Sequence, residues 1–213
     1  TGMGASRFPG KPLAEICDGP MVGHCYMRTK MCKELTNTYV ATCDQEIYDY
    51  IESIGGNALM TSEKHERASD RTAEAMMIVE EKTGESVDVV VMVQGDEPLV
   101  TPEMISDSIA PFSDTAVNVV NLMARIKQLE HFQDPNEIKV VVNSNNDAIY
   151  FSRSPIPSLA RSTTNDCWYK QVCIIPFRRD YLIRFNSMDE TILEKAESID
   201  MLRLIETGDV VRM

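Results

Sequence analysis

The chain has 213 residues, 43% of them hydrophobic and 25% charged, which suits one globular α/β domain with an ample core. Its 33 acidic residues against 21 basic ones give a net charge of -12, which argues against a broad basic face for a nucleic-acid polymer but leaves room for a local basic pocket. No apolar run approaches the roughly 18 residues of a membrane span, so no membrane partner is expected. The six cysteines contain no CxxC pair and read as reduced thiols, which favours a cytoplasmic setting.

The chain starts inside a glycine-bearing loop, GASRFPGKP (Gly4 to Pro12), without the strand that would deliver such a loop, and stops after DVVRM. We therefore expect a single domain over 1–213 lacking an N-terminal strand and a C-terminal segment. The loop is not a Walker motif: Ala5 stands where GxxxxGK needs its first glycine, and Lys11 is followed by Pro12 instead of Ser or Thr. Small residues still let backbone amides approach an anion, with Arg7 and Lys11 as fixed charges. The bland alternative is a surface turn carrying two solvated bases.

Next come a helical stretch, GPMVGHCYMRTKMCKEL, a β-branched run, NTYVAT (Asn37 to Thr42), and an amphipathic QEIYDYIESI, for which Asp44 is a cap. In HERASDRTAEA, Ser69 is the expected N-cap of a helix, and His65, Arg67 and Arg71 crowd its start, where phosphate or a polar base edge would be welcome. VDVVVMVQ (Val87 to Gln94) is apolar on both faces, as a buried parallel strand should be. Beyond it lies VQGDEPLV, where Asp96 is a candidate ligand for a divalent cation or, alternatively, an ordinary turn aspartate. His24 and His131 have no partner at metal-ligand spacing and read as boundary residues.

After Pro98 the strands AVNVVNLMARI, NEIKVVVN and AIYFSRSPIP, the last two joined by NSNND, predict an antiparallel arm over about 136–176. ILEKAESIDMLRLIET is expected to form one closing amphipathic helix with Ile192, Leu193, Ala196, Ile199, Leu202 and Leu204 inward. Alternating strands and helices predict a mostly parallel sheet apart from the arm.

Four ordered motifs, SRFPGKPL, VQGDEP, DPNEIKVV and YFSRSPIP, together with YKQVCIIPFRRDYL and LEKAESIDMLRLIETG, make the chain resemble the cytidylyltransferases of CMP-activated acidic sugars, in particular the CMP-Kdo synthetase family. The resemblance implies a Rossmann-like nucleotide-diphospho-sugar transferase fold, a dimerisation arm and a homodimer. It also implies Mg2+-dependent attack of an acidic sugar such as 3-deoxy-D-manno-octulosonate (Kdo) on the α-phosphate of CTP, a reaction of the lipopolysaccharide pathway. By similarity, Ser6, Arg7 and Lys11 would hold the triphosphate, Asp96 the magnesium, and Ser69 and Arg71 the nucleotide. Gln94, Arg153, Gln171 and Glu197 would serve the acceptor.

The pattern also breaks. Members carry an Arg nine residues before the loop lysine, where this chain has Gly2, and a second metal-binding aspartate that would fall beyond Met213. On the acceptor side, HERASDR replaces HSGTDR-like sequences, Gln171 a histidine, Ile175 an aromatic and Met201 a glutamine. Losing such hydrogen-bonding groups alters discrimination among hydroxylated substrates. Another acid acceptor (an 8-amino-Kdo, another ulosonic acid or a phosphonate) is thus an alternative, as is a non-catalytic nucleotide-binding paralogue. A sugar-transferring relative of similar architecture would be expected to show an acid pair of the DxD type.

Overall fold

The computed structural model describes Gly2, residues 10–161 and residues 164–213, so the expectations for Ser6 and Arg7 lie outside the described residues. A 3-10 turn, Lys11–Leu13, runs into the small hairpin β1 (Glu15–Ile16) and β2 (Gly19–Pro20), then helix α1 (Met21–Lys30). Strand β3 (Val40–Thr42), helix α2 (Gln45–Ser53) and strand β4 (Ala58–Met60) form a βαβ unit, with Val40 opposite Ala58 and Thr42 opposite Met60 in parallel register. Ile47 and Ile51, one turn apart on α2, are fully buried against Val22 and Tyr26 of α1. The helices close this tightly because Gly23 lets the Tyr50 ring lie where a β-carbon would stand.

Helix α3 (Ala68–Thr83) begins two residues earlier than the sequence suggested. Arg67 is its N-cap, and Ser69 lies inside the first turn. Ala68 is a strong helix former, and no side-chain bond holds Ser69 at the cap among the described residues. The helix ends at Gly84, whose φ of 71 turns the chain toward the next strand.

Strand β5 (Val89–Val93) pairs antiparallel with β10 (Ile174–Arg178), Val93 opposite Ile174 and Val89 opposite Arg178. Helix α4 (Pro102–Ile109) follows, its N-cap Thr101 accepting from the Met104 amide. A four-stranded antiparallel sheet runs in the order β6 (Met123–Arg125), β9 (Tyr169–Gln171), β7 (Lys139–Val142), β8 (Ala148–Ser152); β6 lies before the range expected for the arm, and β10, which begins inside it, pairs with β5 instead. Helix α5 (Leu129–Gln133) covers its end, where Phe132 stacks on Trp168 at 4.2 Å.

Parallel pairing is found between β3 and β4 and at the isolated bridge of Val120 with Arg212. Elsewhere among the described residues the ladders are antiparallel, because β10 returns alongside β5, and no ladder joins β3 to β5. Val89 to Val93 line an open groove, and only Met92 of β5 is buried although all five of its residues are apolar.

The C-terminal stretch is not one helix. Helix α6 (Arg179–Ser187) is followed by α7 (Ile192–Glu197) and α8 (Leu202–Glu206), separated at Ser198, which adopts φ 54. The break leaves Ile192 81% exposed while Ile199, Leu202 and Leu204 enter the largest core cluster with Phe177, Leu182 and Phe185. Fully burying one such side chain is worth about 1.5–3 kcal/mol, and the bend lets three do so at once.

Candidate active site

A groove of about 990 Å³ separates the β3–β4 pair from the β5–β10 pair. Its sides are strand residues such as Val40, Ala41 and Val89 to Val93. At the carboxyl ends of β3 and β5 it is lined by Gly2, Lys11, Gln94, Gly95 and Asp96, with Arg71 from α3. Strand ends of an open α/β sheet are where ligands collect. Lys11 arrives there on a 3-10 turn set by Gly10, at φ 75, and anchored by the buried Pro12. Its Nζ donates to Asp96 Oδ2 at 2.7 Å, and the two side chains are 40% and 43% exposed.

The Gln94–Val100 loop that carries Asp96 is held from two sides. On the sheet side, the Gln94 amide donates to the Cys173 carbonyl, and the Cys173 amide donates to Glu97 Oε1 at 3.4 Å. From α1, the Cys25 thiol donates to the Gly95 carbonyl at 3.3 Å, and Arg28 Nε to the Val100 carbonyl at 2.7 Å. Burial pushes the Cys25 thiol up to about 11 and that of Cys173 to about 12, so both stay protonated near neutrality. Burial also raises the Glu97 carboxyl above its usual range, reinforced by the neighbouring Asp96 charge and opposed by the Cys173 amide.

Of the residues singled out from the sequence, Lys11, Asp96, Gln94 and Arg71 all line the groove, and Lys11 and Asp96 meet there. Arg71 Nη1 is tied to Thr61 Oγ1 at 2.5 Å and to the Ser62 carbonyl at 3.2 Å. Ser69 is fully buried away from the groove, its carbonyl accepting from Asn186 of α6. Gln171 turns inward, donating to Asn121 Oδ1 at 2.5 Å.

Arg153 and Glu197 form a clasp apart from the groove. Arg153 donates through Nε to the Glu197 carbonyl at 2.6 Å, through Nη1 to Pro135 and through Nη2 to Ser198. Glu197 accepts from Ser152 Oγ at 2.7 Å and from the Arg153 amide at 2.8 Å. Both side chains are thus engaged within the protein, with one bond from each nitrogen of the guanidinium. Lys139 completes the cluster, fully buried with its ammonium on the carbonyls of Asp134, Glu137 and Arg153.

Sequence reasoning passed over Arg203, which is wholly buried. It makes a two-pronged bond to Glu194 at 2.8 and 2.5 Å and stacks over Phe185. It also passed over Cys25 and Arg28. Their spacing of three, which puts both on one helix face, was the available signal.

For a divalent ion, no group of three or more His, Cys, Asp or Glu side chains converges among the described residues. Magnesium needs no such cage, because it keeps several waters and takes one or two carboxylates together with substrate phosphates. A half-exposed Asp96 beside Lys11 at a strand end fits that donor set.

A basic turn and a carboxylate face each other beyond the strand ends of an α/β frame, and the chain is matched by nucleotidyltransferases. The cytidylyltransferase family profile matches residues 3–211. A 3-deoxy-manno-octulosonate cytidylyltransferase from Geobacter metallireducens is 40% identical over 98% of this chain and 84% of its own length. The solved structure of a CMP:2-keto-3-deoxy-manno-octonic acid synthetase complexed with CTP superposes with a TM-score of 0.89 at 36% identity, over 100% of this chain and 85% of that one. A glucose-1-phosphate thymidylyltransferase structure from Bacillus anthracis, at 14% identity and a TM-score of 0.60 over 97% of this chain and 78% of that one, shares the fold alone. The chain belongs to the cytidylyltransferase family and has its Rossmann-like fold.

Proposed function

We propose that the chain activates 3-deoxy-D-manno-octulosonate, using CTP and Mg2+, to its CMP derivative. The acceptor hydroxyl oxygen bonds to the α-phosphorus, the bond from that phosphorus to the bridging oxygen breaks, and pyrophosphate leaves with the electron pair. The hydroxyl proton passes to solvent. The observation that carries this reading is the Lys11–Asp96 pair at the groove mouth, in a chain matching a synthetase solved with CTP.

Such a transfer is limited by alignment and by charge building up on phosphate oxygens, so positioned cations matter more than a nucleophilic side chain. Lys11 would leave Asp96 for the triphosphate, and the vacated carboxylate would hold the magnesium. The ion, when bound, neutralises phosphate charge and fixes the geometry of the leaving group. Gln94, beside Asp96, would contact the sugar acid. Arg153 and Glu197 would shape the acceptor side by holding β8 to α7, and the arm sheet would carry the contact between two copies of the chain. No helix of the described residues is long and apolar enough to cross a membrane, which fits an enzyme of small soluble substrates.

A variant acceptor is the second reading on the sequence pattern alone, since Met201 and Ile175, where the resemblance implies a glutamine and an aromatic, are core residues at 0% and 2% exposure that do not line the groove. The test is pyrophosphate release with CTP and Mg2+ across Kdo, its 8-amino analogue, sialic acid and simple phosphonates, with ATP, GTP and UTP as controls. Release with CTP and Kdo is the expected result. Release only with another acid moves the assignment to that acceptor, and silence throughout, with CTP still bound, supports the binding paralogue.

A further inference from the structure

Helix α1 bonds to both segments that carry the Lys11–Asp96 pair. The Met21 amide, at its first residue, donates to the Ala14 carbonyl at 2.9 Å, just past the turn that presents Lys11. Four residues on, the Cys25 thiol donates to the Gly95 carbonyl, the peptide unit that leads into Asp96. Three residues further, Arg28 Nε takes the Val100 carbonyl at the far end of the same loop. Between these two grips the loop carries internal bonds, from the Glu97 amide to the Gln94 carbonyl and from the Val100 amide to the Glu97 carbonyl. The 94–100 segment is thus a compact pair of turns pinned at both ends by one helix face.

Cys25 is 5% exposed and Val100 1%, so neither grip is exchangeable for water without opening the packing. The Asp96 carboxylate itself is 43% exposed and has no such support of its own. From this geometry we propose that Cys25 and Arg28 are positioning residues for Asp96. They set where its carboxylate stands, and with it the affinity of the divalent ion that the proposed reaction uses. The inference rests on the reading of Asp96 as the ion's ligand. A carboxylate that must meet both an ion and a phosphate tolerates little displacement, and outer partners commonly change metal affinity by about 10- to 100-fold.

The experiment uses Mn2+ as the probe. It is titrated into the protein with CTP held fixed, free Mn2+ is followed by electron paramagnetic resonance, and thermal unfolding of each variant is measured alongside. Cys25→Ala and Arg28→Ala should each weaken Mn2+ binding about tenfold. Cys25→Ser, which keeps a donor, and Arg28→Lys, which keeps a cation of similar reach, should recover most of it. Lowered melting temperatures with Mn2+ affinity unchanged in all four variants would overturn the proposal and leave the two residues as ordinary packing. A wild-type curve indistinguishable from that of Asp96→Asn would overturn the reading of Asp96 as well. Weak binding by Asp96→Asn with wild-type curves for the Cys25 and Arg28 variants would overturn only the positioning role.

Discussion

Two charged clusters of this molecule differ in how much of their bonding capacity the protein itself uses. Around Arg203, Arg153 and Lys139, the guanidinium and ammonium groups are bonded to carbonyls or to Glu194, and Arg203 and Lys139 are wholly buried. At the groove mouth, Lys11 and Asp96 share a single bond at 2.7 Å and stand more than a third exposed. The first arrangement gains stability only when complete, since a buried charge without its partner is costly. The second gains little from its ion pair, as exposed pairs are worth about 0–1 kcal/mol, and so is easily opened by a ligand. The lesson is that residues of the same chemistry are sorted into scaffold and site by their remaining capacity.

The largest effect should come from breaking the scaffold. Arg203→Met leaves the buried Glu194 with only the longer pairing to Arg67 at 3.4 Å and the Thr191 amide, and should lower unfolding free energy by about 3 kcal/mol in urea titrations, whereas adding Glu194→Leu should restore most of it. A loss below about 1 kcal/mol in the single variant would show that the pair is not committed as described. Next in size, Asp96→Asn should reduce kcat/KM on the order of 100- to 1,000-fold with an unchanged urea midpoint. Equal activity would remove Asp96 from the site.

Arg153 sharpens the comparison, because the sequence pattern assigned it to the acceptor while its bonds assign it to the scaffold. Arg153→Ala should cost about 1–3 kcal/mol of stability through the stranded carbonyls and Glu197. A rise in KM for the acid acceptor without loss of stability would restore its binding role.

The smallest effects are in pH dependence, and they carry opposite signs. Arg179, bonded at 2.6 and 2.8 Å, holds the Glu80 carboxyl at about 2 instead of 4.5. Stability from that pair is complete above pH 4.5 and lost as pH falls from there toward 2, and Glu80→Gln should flatten this acid limb. Glu97 is raised from 4.5 by burial, so the folded state keeps its proton longer and stability declines as pH rises from 4.5 through the folded value. Glu97→Gln should remove that decline. The same slope in the variant would mean that Glu97 does not titrate as described.

Much of this was legible in the chain itself. The valine run of β5, the amphipathic α2 and the arm with its NSNND turn announced themselves through periodicity and turn chemistry. The Lys11 turn and Asp96 were marked by glycine, proline and position after a strand. Three features were not legible. The break at Ser198 is hidden because apolar spacing continues across it, and only the clasp with Arg153 shows why the helix stops. The antiparallel return of β10 beside β5 is a pairing across about 80 residues, with no local signature. The inward turn of Gln171 depends on Asn121, fifty residues away in sequence.

The most direct test of the central claim, that the half-exposed Lys11–Asp96 pair is the ligand-binding charge of the molecule, is a calorimetric titration of CTP with Mg2+ into the wild-type protein and Lys11→Ala. The account predicts saturable binding by the wild type that falls at least about tenfold in affinity in the variant, the loss of about 1.4 kcal/mol expected for one charge-assisted contact, with melting temperature unchanged. Equal affinity in the two proteins would place the triphosphate elsewhere and contradict it.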